Sequence, residues 1–410
     1  MSGIHLALAR TYREEQGRIL ASLIGWMGDF ELAEEVLQDA FAAALARWAA
    51  DGVPDRPGAW LLTTARNRAL DRVRRDASFA GKVPAIRELA HLRQDELAEA
   101  LDVVHIPDER LRLLFTCCHP ALPMEAQVSL TLRTLCGLST REIARAFLTK
   151  EATMAQRLVR AKKKIAAAGI PYRVPPAELL PERLPGVLRV IYLVFNEGYH
   201  ASHGQALIRH ELCKEGIRLG TLLDRLMPDE PEAMGLLALM VLHHARHAAR
   251  TDRDGQLITL EEQDREQWDG EAIRDGLNLL SRAFSCQRVG PYQLQAAIAG
   301  LHCGAPAVEL TDWSQIATLY SLLERFEPNP IVTLNRAVAV AMSQGPDAGL
   351  ALMEQLSLPG YSLLPAAMAD LHRRAGRPER ARGLYDQAIT LAENEAERAL
   401  YRRRRDRLGY

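Results

Sequence analysis

Between Met154 and Ile165 the chain alternates an apolar set, Met154, Leu158, Ala161 and Ile165, with Gln156, Arg157, Val159, Arg160, Lys163 and Lys164. The apolar set recurs at offsets of four, three and four, the signature of one helical stripe. At about 100° per residue, Gln156, Val159, Arg160 and Lys163 then point away from that stripe, flanked by Arg157 and Lys164. Upstream, Ser139-x-x-Glu142 is a capping box, which predicts a helix opening at Thr140 with Ile143, Ala144 and Phe147 on its buried side. A turn at Leu148 to Lys150 would join the two helices. A short helix, a turn and a second helix with a cationic, amide-bearing face suit the major groove of DNA. There Arg and Gln can read base edges while Lys and further Arg neutralise phosphates. The plainer alternative, a solvated basic face, accounts for the charges but not for the capping box and turn that precede them.

Two further segments carry chemistry by charge. In Asp29 to Trp48, DFELAEEVLQDAFAAALARW, the acids Asp29, Glu31, Glu34, Glu35 and Asp39 occupy the first half without a base. Leu32, Val36, Leu37, Phe41, Leu45 and Trp48 would form the buried stripe. Such an acidic helix suits a basic protein partner. Ala59 to Asp76, AWLLTTARNRALDRVRRD, then sets Arg66, Arg68, Arg72, Arg74 and Arg75 against Asp71 and the terminal Asp76, a balance that suits DNA. Taken singly, each run could equally be a solvated helix face.

Other chemistries find little support. Adjacent Cys117-Cys118-His119 with Cys136 lacks the C-x2-4-C spacing of structural zinc sites and reads as helix packing. His243 and His247 lie one helical turn apart, with Glu197, His200 and His203 in a neighbouring loop, but the partner Glu of an H-E-x-x-H motif is missing. The sequence has no G-x-G-x-x-G, Walker or G-x-S-x-G segment. It therefore implies no cofactor, no resident metal and no catalysis.

The elements that must hold these side chains are helical. Apolar residues recur at three- and four-residue spacing through most of the chain, and β-branched runs are rare, so the expected fold class is all-α. Val187 to Phe195 is the one strand-like run and is taken as a buried helix. With 410 residues, 48% apolar and 25% charged, the chain is long enough for several domains and too apolar for disorder. Breakers at Asp51 to Gly58, at Gly81 to Pro84 and at Gly169 to Pro185, where five prolines fall in 17 residues, divide it. Near the carboxyl end, Pro328 to Leu356 and Leu363 to Leu391 share one layout of helix, Gly-containing turn and helix. The offset is close to the roughly 34-residue tetratricopeptide period; an irregular bundle is the alternative. The longest apolar run, Ala233 to Leu242, is half of the roughly 20 residues a membrane helix needs. The amino terminus lacks the apolar core of a secretion signal, and six cysteines without regular spacing fit a reducing compartment. The expected location is cytoplasmic, with no membrane partner. Net charge is −1, yet residues 131–164 carry nine Lys+Arg against two Asp+Glu, and it is such local fields that steer binding.

In this order the segments closely resemble the extracytoplasmic-function sigma factors of bacterial RNA polymerase. The region-two pattern is met by Gln38-Asp39-Ala40-Phe41 and by Trp60, Leu61, Ala65, Arg66, Asn67, Asp71, Arg74 and Arg75. The region-four pattern is met by Leu138, Ser139, Glu142, Ile143, Ala144, Thr153, Arg157, Arg160, Ala161 and Lys162. Departures are Leu148 and Ala152 where glycine is usual, Gln156 where Ser is usual, and no aromatic between Trp48 and Trp60. The motifs cover about the first 170 residues. FTCCHPAL (Phe115 to Leu122) and YLVFNEGY (Tyr192 to Tyr199) resemble the subgroup with a long tetratricopeptide-like extension.

The resemblance implies sigma region two at 1–80, a linker at 81–106, region four at 107–170, a proline-rich linker at 171–185 and a helical extension at 186–410. It also implies roles. Glu35, Gln38, Asp39 and Phe41 would dock on the polymerase β′ coiled coil, and region four on the β flap. Trp60 and Asn67 would hold the melted minus-ten element, with Arg66, Arg72, Arg74 and Arg75 on its phosphates. Thr153, Gln156, Arg157, Val159, Arg160, Lys163 and Lys164 would read the minus-thirty-five element. The expected partners are core polymerase and promoter DNA, an intramolecular contact between extension and sigma domains, and a small regulatory protein of the YCII-like kind found near such genes. The expected function is promoter-specific initiation, with the extension controlling it in cis. The competing reading is a ligand- or partner-responsive helix-turn-helix regulator with a tetratricopeptide domain that never joins polymerase.

Overall fold

The computed structural model describes residues 3–77, 106–147, 149–199, 210–253, 256–392 and 394–409. The expected linker at 81–106, Leu148, His200 and His203 lie outside them, as do the side chains of Arg74 and Arg75; only the last residue of that linker, Ile106, is inside. Among the described residues the chain is helical, and its one extended feature is an isolated antiparallel bridge between Thr251 and Leu257. It divides into two compact units, Met1–Val190 and Ile191–Tyr410.

The first unit opens with α1 (Gly3–Met27), α2 (Phe30–Asp51) and α3 (Pro57–Ala77). Asp29 caps α2 by accepting from the backbone N–H of Glu31 at 2.8 Å and of Leu32 at 3.0 Å, which satisfies two donors that the first turn leaves over. Gly52 ends the helix at φ 86°. The α2 face that packs inward is Ala33, Val36, Leu37, Ala40, Phe41, Ala44 and Trp48. Leu45, expected in that stripe, is 41% exposed, and Leu32 is only partly buried. Small Ala33, Ala40 and Ala44 take the seam, so the buried face is turned by one position from the one the large residues suggest. Against it pack Ile19, Leu20, Leu23 and Ile24 of α1 and Leu61, Leu62, Ala65 and Ala69 of α3.

Four helices follow: α4 (Ile106–Cys117), α5 (Met124–Thr134), α6 (Thr140–Ala146) and α7 (Glu151–Ala167). Their core holds Leu113, Leu114, Leu130, Leu132, Ile143 and the α7 stripe Met154, Leu158, Ala161 and Ile165. Several polar groups buried on α5 are paired, though Gln127 Oε1 and Thr131 Oγ1 are not. Thr134 donates to the Leu130 carbonyl at 2.8 Å, and Gln127 Nε2 donates to those of Leu122 and His119. Cys117 and Cys118 are packing residues, fully enclosed, and burial pushes the Cys117 thiol up to about 12. Helix α1 also rests on α4 and α5. At Gly17 the approach is so close that an added Cβ would lie 2.2 Å from the Leu135 carbonyl oxygen. Tyr172 donates its hydroxyl to the Ala21 carbonyl at 2.8 Å, a second tie to α1.

The expected proline-rich linker at 171–185 is shorter than its composition suggests. A 3-10 turn at Ala177–Leu179 leads directly into α8 (Leu180–Tyr199). Pro181 lies in the first turn, where no backbone donor is needed, and Pro185 forfeits one helical bond. Burial of Leu184, Val187, Leu188, Val190, Ile191, Val194 and Phe195 outweighs that loss, and the strand-like run is helix. The two units divide within α8, between 190 and 191, rather than at the prolines.

The second unit continues with α9 (His210–Leu226), α10 (Pro231–His244), α11 (Gly270–Ser285), α12 (Pro291–Gly304), α13 (Trp313–Phe326), α14 (Pro330–Gln344), α15 (Pro346–Met353), α16 (Leu363–Arg374), α17 (Pro378–Leu391) and α18 (Glu395–Asp406). Most pack on their sequence neighbours, as stacked helix pairs do, but α12 packs chiefly on α10, with α11 between them in sequence. The expected repeats correspond to α14/α15 and α16/α17. Gly345 and Gly376 supply the left-handed turns, at φ 102° and 70°. With only 8 residues, α15 makes the first pair unequal. The cores are rich in alanine, for example Leu334, Ala337, Ala341, Leu350 and Met353 in the first pair and Ala369, Ala381, Tyr385 and Ala388 in the second.

Candidate nucleic-acid interface

Helices α2 and α3 leave an open cleft of about 770 Å³ between them. From α3 come Trp60, Thr64, Asn67, Arg68, Asp71 and Arg72, and from α2 come Asp39, Ala43 and Arg47. Offsets of four, seven and eleven from Trp60 put Thr64, Asn67 and Asp71 on one side of α3, and offsets of four line up Asp39, Ala43 and Arg47 on α2. Trp60 is fixed by an edge contact with the buried Trp48, ring centroids 5.7 Å apart. An aromatic ring, an exposed amide and several guanidiniums thus converge on one cavity, the composition of a site that stacks a base and binds its backbone.

The acidic and basic helices also pair with each other. Arg72 Nη1 lies 2.8 Å from Glu35 Oε2, and Arg68 Nη1 lies 3.7 Å from Asp39 Oδ2. All four side chains are about half exposed, so each pair contributes only about 0–1 kcal/mol and yields readily to a stronger partner. Gln38 is exposed beside them. Phe41 is not on this surface. It is buried, with its ring 5.0 Å from Tyr12, and holds α2 against α1. Arg66 likewise turns from the cleft, its guanidinium 5.9 Å from the Trp26 ring centroid and its pKa lowered by burial.

In the helix-turn-helix, the Ser139 backbone N–H and hydroxyl both donate to Glu142 Oε2, at 2.8 and 2.7 Å, while the Glu142 N–H donates to Ser139 Oγ at 3.2 Å. This reciprocal cap starts α6 at Thr140, as the spacing predicts. Along α7, Thr153, Gln156, Val159, Arg160, Lys163 and Lys164 are exposed. Val159, at 43% exposure, is an apolar side chain among cations, suited to a thymine methyl. Arg157 does not stand free. It pairs with Glu125 at 2.9 Å and lies over the Phe147 ring at 5.7 Å, bracing α7 on α5 and on the turn.

Lys162 is the surprise of this helix. Its Nζ lies 2.5 Å from Glu34 Oε2 of α2, with side-chain exposures of only 12% and 17%. One side chain of the acidic helix is thereby committed to one of the cationic helix across 128 residues of sequence.

The histidines of the extension do not come together as a metal site. His243 is half-buried with Nδ1 2.8 Å from Arg246 Nη2, whereas His247 stacks on His244. Among the described residues no group of three or more His, Cys, Asp or Glu could hold a metal ion. No helix among them is long and apolar enough to cross a membrane.

Sequence reasoning missed Arg47 and Thr64 in the cleft and named Arg68 and Asp71 without assigning them a contact; their helical offsets from Asp39 and Trp60 were the available signal. It also missed the contact of Lys162 with Glu34, for which no local signal exists.

Comparisons with known proteins agree with this layout. Residues 11–79 match the family described as Sigma-70 region 2, and residues 112–165 the family described as Sigma-70, region 4. Residues 183–284 match a family of unknown function, DUF6596. Over its whole length the chain is similar to an uncharacterized protein of Rhizobium meliloti (strain 1021), 46% identical over 410 residues that cover 99% of this chain and 96% of the relative. No solved structure matches.

Proposed function

The chain belongs to the extracytoplasmic-function sigma factors that carry a carboxyl-terminal helical extension, proteins that bind core RNA polymerase and promoter DNA without being enzymes, and from that premise we propose how its residues divide the work. The exposed acids and amide of α2, Glu35, Gln38 and Asp39, dock on the polymerase β′ coiled coil, and region four docks on the β flap. The cleft between α2 and α3 takes an extruded base of the minus-ten element, stacked on Trp60 and hydrogen-bonded by Asn67, while Arg47, Arg68 and Arg72 bind phosphates. Capture of the base offsets an unstacking cost of a few kcal/mol, so melting runs on binding energy and needs no nucleotide site. Helix α7 reads the minus-thirty-five element through Gln156, Val159 and Arg160, with Lys163 and Lys164 on the backbone. The extension controls this activity in cis.

The observation that carries the reading is the aromatic- and amide-lined cleft beside an acidic helix. An operator-binding repressor has use for α7 but none for that cleft. The test mixes the pure protein with sigma-free core polymerase and a library of genomic promoter fragments. Co-migration with polymerase and initiation at a specific subset of fragments is expected. A protein that binds DNA but neither joins polymerase nor starts transcripts would instead be the competing regulator. For control in cis, a chain ended after Val190, where the first compact unit closes, is compared with the full chain; unchanged promoter output would remove that role.

A further inference from the structure

The second unit gathers three arginines that, among the described residues, make no ion pair with an acid. Arg246 and Arg250, at the end of α10 and just beyond it, are each only 6% exposed. Arg246 Nη2 reaches the Tyr199 hydroxyl at 3.0 Å and His243 Nδ1 at 2.8 Å, and its guanidinium lies 5.8 Å from the Trp268 ring centroid. Arg250 donates to the Tyr199 carbonyl and lies 3.5 Å from the Tyr199 ring centroid. Arg265 shares the Trp268 ring at 4.4 Å and donates from Nη1 to the carbonyls of His302 and Ala305 at 2.7 and 2.6 Å. Among the described residues the hydrogen-bond and ring partners of these three guanidiniums are neutral, and Glu309 acts on Arg265 only through space. Arg246 Nε and Arg265 Nη2 are shielded from solvent and have no hydrogen-bond partner. Buried cations are ordinarily matched by an anion, because desolvation of an unpaired charge is costly.

Arg265 and His302 also line a half-open cleft of about 290 Å³, together with Asn335 and Arg404. The acids on its wall are already taken. Asp370 receives Arg373, Arg374 and Arg404, and Glu261 receives Arg374. Trp313, Ile316, Tyr320 and Val338 give the cleft an apolar side. His302 stays a neutral imidazole, since burial and the two nearby arginines Arg246 and Arg265 push it down to about 4.

We propose that this cleft binds a small organic carboxylate, its anionic head against Arg265 and its ring or aliphatic body against Trp313 and Tyr320. The volume lies at the low end of the roughly 300–1,000 Å³ typical of small-molecule sites, and the wall carboxylates Glu261 and Asp370 oppose a multiply charged phosphate ester. One anionic head with an apolar body fits the remaining space. The inference does not rest on the promoter-directed reading, because ligand binding is measured without polymerase.

The test is isothermal titration of the full chain with benzoate and indole-3-acetate, with benzamide and indole-3-acetamide as uncharged counterparts and inorganic phosphate as a bare anion. At least one carboxylate should bind saturably, one per chain, with its amide weaker by about tenfold or more, as a lost charge-assisted bond requires. Arg265→Gln should weaken it by a similar factor. Asn335→Trp, at an exposed wall position, should block binding and leave the circular-dichroism melt unchanged, which covers the case in which Arg265→Gln disturbs folding. The proposal is overturned if amides bind as well as acids, if phosphate binds more tightly than either carboxylate, if Asn335→Trp binds normally, or if neither carboxylate gives saturable heat.

Discussion

Asn67 and Arg160 concentrate the proposed promoter chemistry into two side chains with separable readouts. Asn67 is exposed and lines the α2/α3 cleft. Asn67→Ala should spare duplex binding and cost about 0.5–1.5 kcal/mol of open-complex stability, one hydrogen bond's worth. Permanganate reactivity of the minus-ten strand would fall; undiminished reactivity would remove Asn67 from that role. Arg160 stands free on α7, so Arg160→Ala should weaken binding by about 1–3 kcal/mol and relax preference at one base position. A footprint identical to that of the wild type would count against a base contact. His302 gives a pH-dependent prediction with a definite sign. Its pKa is depressed in the fold, so below the ordinary histidine value the unfolded chain takes up the proton first, and stability falls as pH drops from about 6.5 toward 4. His243, also held well below its ordinary value by burial, Arg246 and Arg250, acts in the same direction. A thermal melt series across this window should lose part of its slope in His302→Gln.

Among the elements, the most consequential packing is that of α1, which serves both halves of the first unit. Gly17→Ala would press a methyl group into the Leu135 carbonyl. Overpacking of this kind costs about 1–3 kcal/mol, and the strain falls on the seam between α1 and α5 rather than inside either helix set. Hydrogen exchange should quicken along α5 while the α7 stripe stays protected; uniform protection would mean that the seam relaxes freely. The elements were legible in the sequence to very different degrees. The helix-turn-helix was plain, because a reciprocal cap and a four-three-four stripe are local signals that tertiary contacts did not override. The start of α8 was not, because two prolines read as linker until the burial of Val187 to Phe195 is known. Nor were the inward turns of Phe41 and Arg66, since a family motif fixes a residue's identity without saying whether it touches the partner or holds the residue that does. The cleft was half legible: Trp60 and Asn67 were found and Asp71 was named within the motif, whereas Thr64 and Arg47 needed the helical offsets that charge counting obscures.

As a whole molecule, the first unit is too small to span both promoter elements that we propose it reads. At Met1–Val190 it has the bulk of a domain with a radius of gyration of roughly 16 Å, whereas promoter elements about 25 base pairs apart are separated by roughly 85 Å of duplex at 3.4 Å per pair. On the proposed division of labour, regions two and four part on the promoter, with the contacts at Gly17, at Tyr172 and between Lys162 and Glu34 undone. Energy transfer between dyes on Ala49→Cys and Ala167→Cys, both exposed and outside the proposed contacts, in a chain whose native cysteines are replaced, should be high in the free protein and collapse in the polymerase–promoter complex. Transfer unchanged by assembly would contradict the division of labour proposed for α3 and α7. The tie between Lys162 and Glu34 has a bearing on the idle state as well. It withholds one lysine from the recognition helix until the unit opens, and each cation kept off a phosphate lowers the salt-sensitive grip on arbitrary sequence by about one released counterion. Chains awaiting polymerase would consequently be less prone to being stranded along the chromosome, and more of them would remain in the freely diffusing pool from which the enzyme recruits.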